Sequence, residues 1–175
     1  MNELAQFRVE VDDFMQFHNK SPLDNEQRDV FEGLQYFPEN DDLNLEVEVE
    51  RFSEDEPLME MTTNTGEQRR YRRWGRFTFQ VDGEEAALTV YSDPYGEELF
   101  LPFRDVTSEQ ESYGAGRYMD NYRPGLRHLP DGRLEVDFNY AYNPYCAYSE
   151  YYSCPLPPAE NWLKVPIRAG EKKFK

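Results

Sequence analysis

The chain has 175 residues, of which 35 are acidic and 19 are basic, so its formal net charge at pH 7 is −16. A chain of this length buries roughly 70% of its unfolded surface, so it can support a core without disulfides or metal ions. We therefore predict a single domain over residues 1–175. Nucleic acids and anionic membranes are bound through Lys and Arg contacts to phosphate, and the negative charge argues against both as partners.

The distribution of charge predicts the environment of the protein. Arg supplies 14 of the 19 basic residues and Lys only 5, and residues 1–65 hold 18 acids against 4 bases. Such surfaces suit molar salt, where the Debye length shrinks to about 3 Å. Residues 1–17 carry acids where a signal peptide needs a basic start and an apolar run. We predict a soluble, cytoplasmic, halophilic protein, with an ordinary acidic mesophilic protein as the alternative.

Two helices are predicted in an N-terminal helical segment, residues 1–37. Leu4, Phe7, Val11, Phe14 and Met15 recur at helical spacing, which predicts an amphipathic helix over residues 3–17. Serine and proline at positions 21 and 22 supply an N-cap and a first helical residue, and glycine at position 33 supplies a stop. A second, shorter helix is therefore expected around residues 25–32.

Residues 43–136 carry the alternating pattern of antiparallel strands. Apolar residues at 43, 45, 47 and 49 alternate with polar ones, and Asp82-Gly83 predicts a hairpin turn between two alternating runs. Further strands are expected at residues 59–63, 98–103, 116–122, 133–138 and 165–168. No helical pattern separates these strands, so the fold class is mainly β: an antiparallel β-barrel or sandwich with one or two short N-terminal helices and a long Tyr/Pro-rich C-terminal loop.

A cluster of five arginines surrounds Tyr71 and Trp74. Its members are Arg69, Arg70, Arg72, Arg73 and Arg76. Paired guanidinium donors can clamp a phosphate or a carboxylate. We favour the alternative, in which the cluster neutralises the acidic strand residues Glu46, Glu48 and Glu50 across a sheet, because alternating polar positions on a strand usually face water.

The Tyr/Pro-rich loop, predicted over residues 137–163, differs in composition from the rest of the chain. Between Phe138 and Ala159 its only formal charge is Glu150, and it contains six tyrosines and four prolines. Prolines prevent a regular helix or a central strand, and the composition is too aromatic for disorder. Long ordered loops of compact domains are usually functional, so we expect this one to cover one mouth of the β-domain.

Unusual local motifs extend from about residue 8 to residue 173. They are SPL at 21–23, FEGLQYFP at 31–38, LPFRD at 101–105, GRY at 116–118, DFN at 137–139, AYNP at 141–144, CAY at 146–148, CP at 154–155, PP at 157–158, EN at 160–161 and AGEK at 169–172. Together they resemble the signature of the uncharacterised domain-of-unknown-function family 1684. The resemblance implies no activity. The chain departs from the pattern at residues 108–113, where we expect an early glycine and a threonine before the tyrosine.

A binding site is predicted where the Tyr/Pro-rich loop meets a cation. The candidate ligand-binding residues are Arg104, Arg117, Asn139, Tyr142, Asn143, Cys146, Tyr148, Glu160 and Asn161. We expect Arg117 to lie in a tyrosine-lined hollow that binds a small polar or anionic molecule. In the competing interpretation Arg117 is the buried counter-ion of Asp137 or Glu160, and the loop is purely structural or mediates interactions.

The two cysteines, Cys146 and Cys154, are the only thiols. Seven residues separate them, which is not the spacing of a redox or zinc pair, and a metal ion would need further ligands such as His18 or His128. We expect reduced, buried thiols with no metal ion and no cofactor. A thiol- or metal-dependent enzyme using Cys146 and Cys154 stays the alternative function. The sequence makes no prediction of the oligomeric state.

Overall fold

The computed structural model describes residues 1–175 and contains two α-helices and nine β-strands. The helices are α1 (Glu3–Phe17) and α2 (Asn25–Asp29). The strands are β1 (Asn44–Val47), β2 (Glu50–Arg51), β3 (Met59–Thr62), β4 (Gln68–Val81), β5 (Glu84–Ser92), β6 (Leu99–Phe103), β7 (Arg117–Asp120), β8 (Leu126–His128) and β9 (Leu134–Asp137). Short 3₁₀ helices cover Asp41–Leu43, Phe138–Tyr140, Tyr145–Ala147 and Ala159–Asn161.

Helix α1 has the bounds that its apolar spacing predicts. Asn2 caps its first turn by accepting a hydrogen bond from the Ala5 backbone N–H at 2.8 Å. Leu4, Val11 and Met15 form the buried face. Neither this helix nor α2 is long and apolar enough to cross a membrane.

Helix α2 is shorter than predicted, because it begins after a different cap and ends at Asp29. Asp24 and Gln27 form a capping box in which each side chain accepts from the backbone N–H of the other. Ser21, the predicted cap, instead donates its hydroxyl to the carbonyl of Met15. A capping box satisfies two free N–H groups at once, so it determines where the helix begins.

The strands form two open antiparallel sheets, so the barrel alternative is wrong. One sheet has the order β1-β9-β8, and the other has the order β2-β4-β5-β6-β7 with β3 also paired to β4. No strand pairing joins the two sheets, but both supply side chains to one hydrophobic core. Buried members of that core include Val47, Val136, Phe77, Leu88 and Leu101.

The predicted strand over residues 43–50 is divided between the two sheets. Its first part, β1, pairs with β9, and its last residues, in β2, pair with β4. The hairpin predicted at Asp82-Gly83 is confirmed, with both turn residues at positive φ (52° and 82°) between β4 and β5. Two consecutive left-handed residues match the twist of the flanking strands. Residues 165–168 form no strand, although Val165 and Ile167 are buried in the core.

The arginine cluster on β4 meets the predicted acids only at one point. Glu50 lies opposite Arg76. Glu46 pairs with Arg133, outside the cluster, and Arg73 pairs with Glu56 and with Glu160 at the far end of the Tyr/Pro-rich loop. Neutralisation is therefore shared among several segments, because residues 44–47 of the acidic strand pair with β9 in the other sheet and only Glu50 and Arg51 pair with β4.

Candidate functional site

Arg117, the centre of the predicted site, lies in a filled interior. Its side chain is fully buried, and its guanidinium donates to the carbonyls of Ala169 at 2.5 Å, Ile167 at 2.7 Å and Glu171 at 3.3 Å. It also pairs with the buried carboxylate of Asp105 at 3.3 Å. The prediction that Arg117 lines a hollow is therefore wrong. Its counter-ion is Asp105 rather than Asp137 or Glu160.

Asn143 and Tyr148 bind a second buried acid, Glu171. The carboxylate of Glu171 accepts the Asn143 backbone N–H at 2.6 Å and the Tyr148 hydroxyl at 3.0 Å. Burial raises the pKa of Glu171 above its ordinary value. These contacts attach the C-terminal residues to the Tyr/Pro-rich loop, so both predicted site residues have structural partners.

Asn139 and Asn161 bridge backbone segments. Asn139 exchanges two hydrogen bonds with the backbone of Asn40, at 2.9 and 3.0 Å. Asn161 is fully buried and exchanges two hydrogen bonds of 2.8 Å with the backbone of Thr89, and it donates a third to Pro102. Both amides replace strand pairing where the loop crosses the sheet, as the structural interpretation expects.

Arg104 and Glu160 lie at the edge of the loop and do not meet Arg117. The Arg104 guanidinium lies over the ring of Trp162, with 5.1 Å to the centroid. Glu160 pairs with Arg73 at 2.9 Å and accepts a hydrogen bond from the Tyr91 hydroxyl. Neither side chain borders the hollow described next.

A hollow of about 300 Å³ lies between the end of β7, the turn that follows it and the middle of the Tyr/Pro-rich loop. We call it the tyrosine hollow. It is lined by Arg69, Tyr118, Asp120, Tyr122, Arg123, Tyr142, Pro144, Tyr145, Tyr152, Ser153, Cys154 and Pro155. Of the nine predicted ligand-binding residues, only Tyr142 borders it. Its lining contains five tyrosines and two arginines.

The two arginines of the tyrosine hollow have no acidic partner. Arg123 lies over the ring of Tyr142, with 3.8 Å from its guanidinium carbon to the centroid. Arg69 donates to the carbonyl of Ser153 at 2.6 Å. Neither guanidinium takes part in an ion pair. In a protein with a net charge of −16, two unpaired arginines beside one hollow make a local positive field.

The one acid of the tyrosine hollow, Asp120, is already satisfied. Its carboxylate accepts the Tyr142 hydroxyl and the Tyr122 backbone N–H, the latter at 3.0 Å. Burial, followed by the charge of Asp120, raises the pKa of Tyr142 well above its usual value. The Tyr142 hydroxyl therefore stays protonated and holds Asp120 in place. A hydrogen bond from a neutral hydroxyl leaves the carboxylate charge, so the hollow is lined by two positive side chains and one negative one.

Cys154 forms part of the wall of the tyrosine hollow, and Cys146 lies against it. Both are free thiols. The Cys146 backbone N–H donates to the Cys154 sulfur at 3.4 Å, and the Tyr113 hydroxyl lies 3.5 Å from the Cys146 sulfur. No group of three or more His, Cys, Asp or Glu side chains is placed to hold a metal ion. The contacts of the two sulfurs are therefore with each other's residue and with Tyr113.

A wider depression of about 840 Å³ lies on the other side of the thiols. It includes Cys146 and Tyr148, both predicted site residues, together with the start of α2. Its charged walls are Asp24, Glu150 and Lys175, so acids outnumber bases there. An anion is disfavoured at such a surface, and we therefore assign the candidate site to the tyrosine hollow.

Sequence reasoning missed Arg123 and Asp120, and it considered Arg69 only as a member of the arginine cluster. A local signal was present, since Asn121-Tyr122-Arg123-Pro124-Gly125 is an aromatic and cationic segment at the end of the strand predicted over residues 116–122. Turns that follow strands often carry functional side chains. The sequence does not show that this turn lies next to residues 142–155 in the folded protein.

Comparison with known proteins finds uncharacterised relatives. The family model described as "Protein of unknown function (DUF1684)" matches residues 29–172, a range that includes every residue lining the tyrosine hollow. The solution NMR structure of an uncharacterized protein of Haloarcula marismortui is similar to this chain, with 39% sequence identity and a TM-score of 0.71. The similarity covers 97% of this chain and 92% of that one. No curated protein matches the chain.

Proposed function

This chain belongs to the DUF1684 family, and we propose that it binds a small anion with a planar body in the tyrosine hollow. The observation that carries the proposal is the pair of unpaired guanidinium groups, Arg69 and Arg123, at one tyrosine-lined hollow of an acidic protein. Nine of the 14 arginines form no ion pair, and Arg69 and Arg123 are the two of these nine that line the tyrosine hollow. Arg69 donates one N–H to the Ser153 carbonyl, and the remaining guanidinium donors are the groups that a ligand would meet.

The geometry of Arg123 favours a carboxylate or a similar planar anion. Its stacking on Tyr142 limits its rotation and turns the edge of the guanidinium, which carries the N–H donors, away from the ring. A planar anion accepts two parallel hydrogen bonds from such an edge. The rings of Tyr118 and Tyr145 offer faces and edges to the body of the same ligand.

The size of the tyrosine hollow limits the ligand class. A volume of about 300 Å³ lies at the lower end of small-molecule sites. It admits one small molecule and excludes a polymer. The unpaired arginines reject cations, and the tyrosine walls favour a body with an apolar face, so an aromatic or unsaturated carboxylate fits best.

A titration with sodium benzoate tests the proposal. We expect saturable NMR shifts at Tyr118, Tyr142 and Ser153 of the ¹⁵N-labelled protein, and weaker shifts with benzamide, which has the same ring but no charge. Arg123→Gln should weaken benzoate binding roughly tenfold or more, since a hydrogen bond to a charged group contributes about 1.5–3 kcal/mol. The matched control is Arg127→Gln, because Arg127 is exposed and pairs with Glu135 outside the hollow.

Three outcomes would contradict the proposal. Equal weakening by Arg127→Gln and Arg123→Gln would show a general charge effect. Saturable shifts with inorganic phosphate but not with benzoate would reject the planar body. No saturable response to either probe would favour a hollow that is purely structural.

A further inference from the structure

We propose that Cys146 and Cys154 form a thiol pair that reduces small hydroperoxides, with Cys154 as the attacking sulfur and Cys146 as the thiol that closes the disulfide. This activity is separate from anion binding in the tyrosine hollow and does not depend on it. The sequence spacing favoured inert cysteines, and three features of the structure argue for reactive ones.

The first feature is the way the two sulfurs are held together. Cys154 lies next to the β3–β4 hairpin, where its backbone N–H donates to the Asn64 side chain at 2.7 Å and its carbonyl accepts the Asn64 N–H at 3.1 Å. Cys146 lies in the 3₁₀ helix Tyr145–Ala147 and donates its N–H to the Cys154 sulfur at 3.4 Å. Separate segments therefore bring the Cys146 backbone against the Cys154 sulfur, and a hydrogen bond between the two thiols places the sulfurs next to each other, as a disulfide requires.

The second feature is the chemical asymmetry of the pair. A hydrogen bond from the Cys146 thiol, opposed by burial and assisted by the Cys146 backbone N–H at 3.4 Å and by the charge of Arg69, lowers the pKa of Cys154 below its usual value. The same hydrogen bond, together with burial, raises the pKa of Cys146. The thiolate is the reactive form of cysteine, so Cys154 attacks first and Cys146 keeps its proton.

The third feature is access. Cys154 forms part of the wall of the tyrosine hollow, whose volume of about 300 Å³ admits hydrogen peroxide or a small organic hydroperoxide. Arg69 borders the same hollow. The positive charge of a guanidinium at the same hollow stabilises the negative charge that develops on the departing oxygen. No histidine is needed as a base for this attack, because the contacts of Cys154 lower its pKa and favour the thiolate.

The reaction balances in two steps. The Cys154 thiolate forms an S–O bond with one peroxide oxygen, the O–O bond breaks, and the departing alkoxide or hydroxide takes a proton from water. The Cys146 sulfur then gives up its proton and attacks the Cys154 sulfur, so the S–S bond forms, the S–O bond breaks and hydroxide leaves as water. The two thiols lose two electrons, and one hydroperoxide becomes one alcohol, or water, and one water. A small thiol reductant restores both cysteines by exchange.

Peroxide oxidation of the reduced protein tests the proposal directly. One equivalent of hydrogen peroxide should remove both thiols, leave a monomer that is two hydrogens lighter, and join Cys146 to Cys154 in one peptide pair. With Cys146→Ser the reaction should stop at a sulfenic acid on residue 154, which dimedone traps. With Cys154→Ser the remaining thiol should react at least roughly tenfold more slowly at pH 7, because little of it is thiolate.

The pH profile of iodoacetamide alkylation provides a measurement on the unmutated protein. The Cys154 rate should rise with a midpoint below about pH 8.5, and Arg69→Gln should move that midpoint upward. Arg70→Gln is the matched control, because Arg70 is the next residue on β4 and does not border the hollow. A single midpoint above about pH 8.5, the value of a free thiol, would overturn the proposal. So would intermolecular disulfides only, or equal peroxide rates in the two serine variants.

Separate measurements test the thiol reaction and anion binding, so either one can fail without the other. Thiol oxidation is measured without benzoate, and benzoate binding is measured on the reduced protein. A protein that binds benzoate but resists peroxide refutes only the thiol chemistry. A protein that forms the disulfide but ignores benzoate refutes only the ligand.

Discussion

Arg117 begins β7, and Arg123 lies in the turn that follows this strand, six residues further along the chain. Arg117 is fully buried, with three carbonyls and the carboxylate of Asp105 around its guanidinium. Arg123 is half-buried beside the tyrosine hollow, stacked on Tyr142 and without an ion pair, and its charge acts on the buried Glu171. Residues 167–171 supply all three carbonyls that Arg117 contacts, so coverage by this segment is what makes Arg117 structural.

The largest expected effect comes from replacing the two arginines one at a time. Arg117→Gln should lower the free energy of unfolding by about 3–5 kcal/mol, because it leaves the Asp105 carboxylate buried without its counter-ion. Arg123→Gln should change the stability by less than about 0.5 kcal/mol, the usual range for partly exposed substitutions. Urea denaturation of both variants measures the difference. Similar losses of unfolding free energy in the two variants would contradict the different roles of the two arginines.

Asn161→Ala should cause a smaller loss of unfolding free energy. It tests whether the side chain of Asn161 stabilises the far end of the Tyr/Pro-rich loop. The substitution removes the side-chain oxygen that accepts the Thr89 N–H and the side-chain amide that donates to the carbonyls of Thr89 and Pro102. Buried backbone groups left without partners should lower the unfolding free energy by about 2–3 kcal/mol. Asn19→Ala, at an exposed position, is the control and should leave the denaturation midpoint unchanged. A midpoint for Asn161→Ala equal to that of the control would contradict the bridging role.

Glu160 lies where the loop meets the sheet, and its contribution to the free energy of unfolding should depend on pH. Partial burial alone would raise the pKa of Glu160, but hydrogen bonds from Arg73 and Tyr91 outweigh burial and lower it below the ordinary 4.5. A lowered carboxyl pKa contributes stability that is complete well above pH 4.5 and is lost as the pH falls through the folded-state pKa. The contribution is about 1 kcal/mol or less, because the side chain is about a third exposed.

Unfolding curves of the unmutated protein and of Glu160→Gln, recorded between about pH 7 and pH 3, measure this contribution. The difference in stability should be largest at neutral pH and should close in acid. Glu150→Gln, at an exposed position of the same loop, serves as the control and should show no such closing gap. A stability difference that widens in acid would contradict the lowered pKa of Glu160.

The smallest expected effect concerns the acidic residues 1–65, which lie apart from both arginines. Screening of their mutual repulsion should raise the melting temperature steadily up to molar KCl, by roughly 1–3 °C, which corresponds to less than about 1 kcal/mol for a chain of this size. Thermal unfolding monitored by circular dichroism at increasing KCl checks this. A melting temperature that is flat or falls would remove salt adaptation as the reason for the charge of −16.

Much of the fold could be predicted because its signals are local. Helix α1 follows from apolar spacing within 15 residues, and the β4–β5 hairpin follows from alternation around Asp82-Gly83. The division of residues 43–50 between two sheets could not be predicted. Alternation shows which side chains of a strand are buried, but it contains no information about which neighbour the strand pairs with.

Eight of the nine predicted ligand-binding residues lie outside the lining of the tyrosine hollow. A tyrosine-lined hollow with an arginine beside it exists, and Tyr142 borders it as expected. The arginine is Arg123 instead of Arg117, because Arg117 meets the carbonyls of Ile167 and Ala169, about fifty residues away in the chain. The contact between Cys146 and Cys154 was missed for a similar reason, since Asn64 holds Cys154 from a different hairpin.

Residue types and their spacing were enough to predict the mainly β fold class, the position of the first helix and of the β4–β5 hairpin, and a tyrosine-rich segment with a single charged residue between Phe138 and Ala159. Each of these depends on residue type and on spacing within a short window. Only the tertiary structure decided which arginine is paired, which acid is buried and which thiols touch. Those outcomes depend on hydrogen-bond partners distant in sequence, because the free energy of a buried charge or thiol is set by the groups that surround it in space.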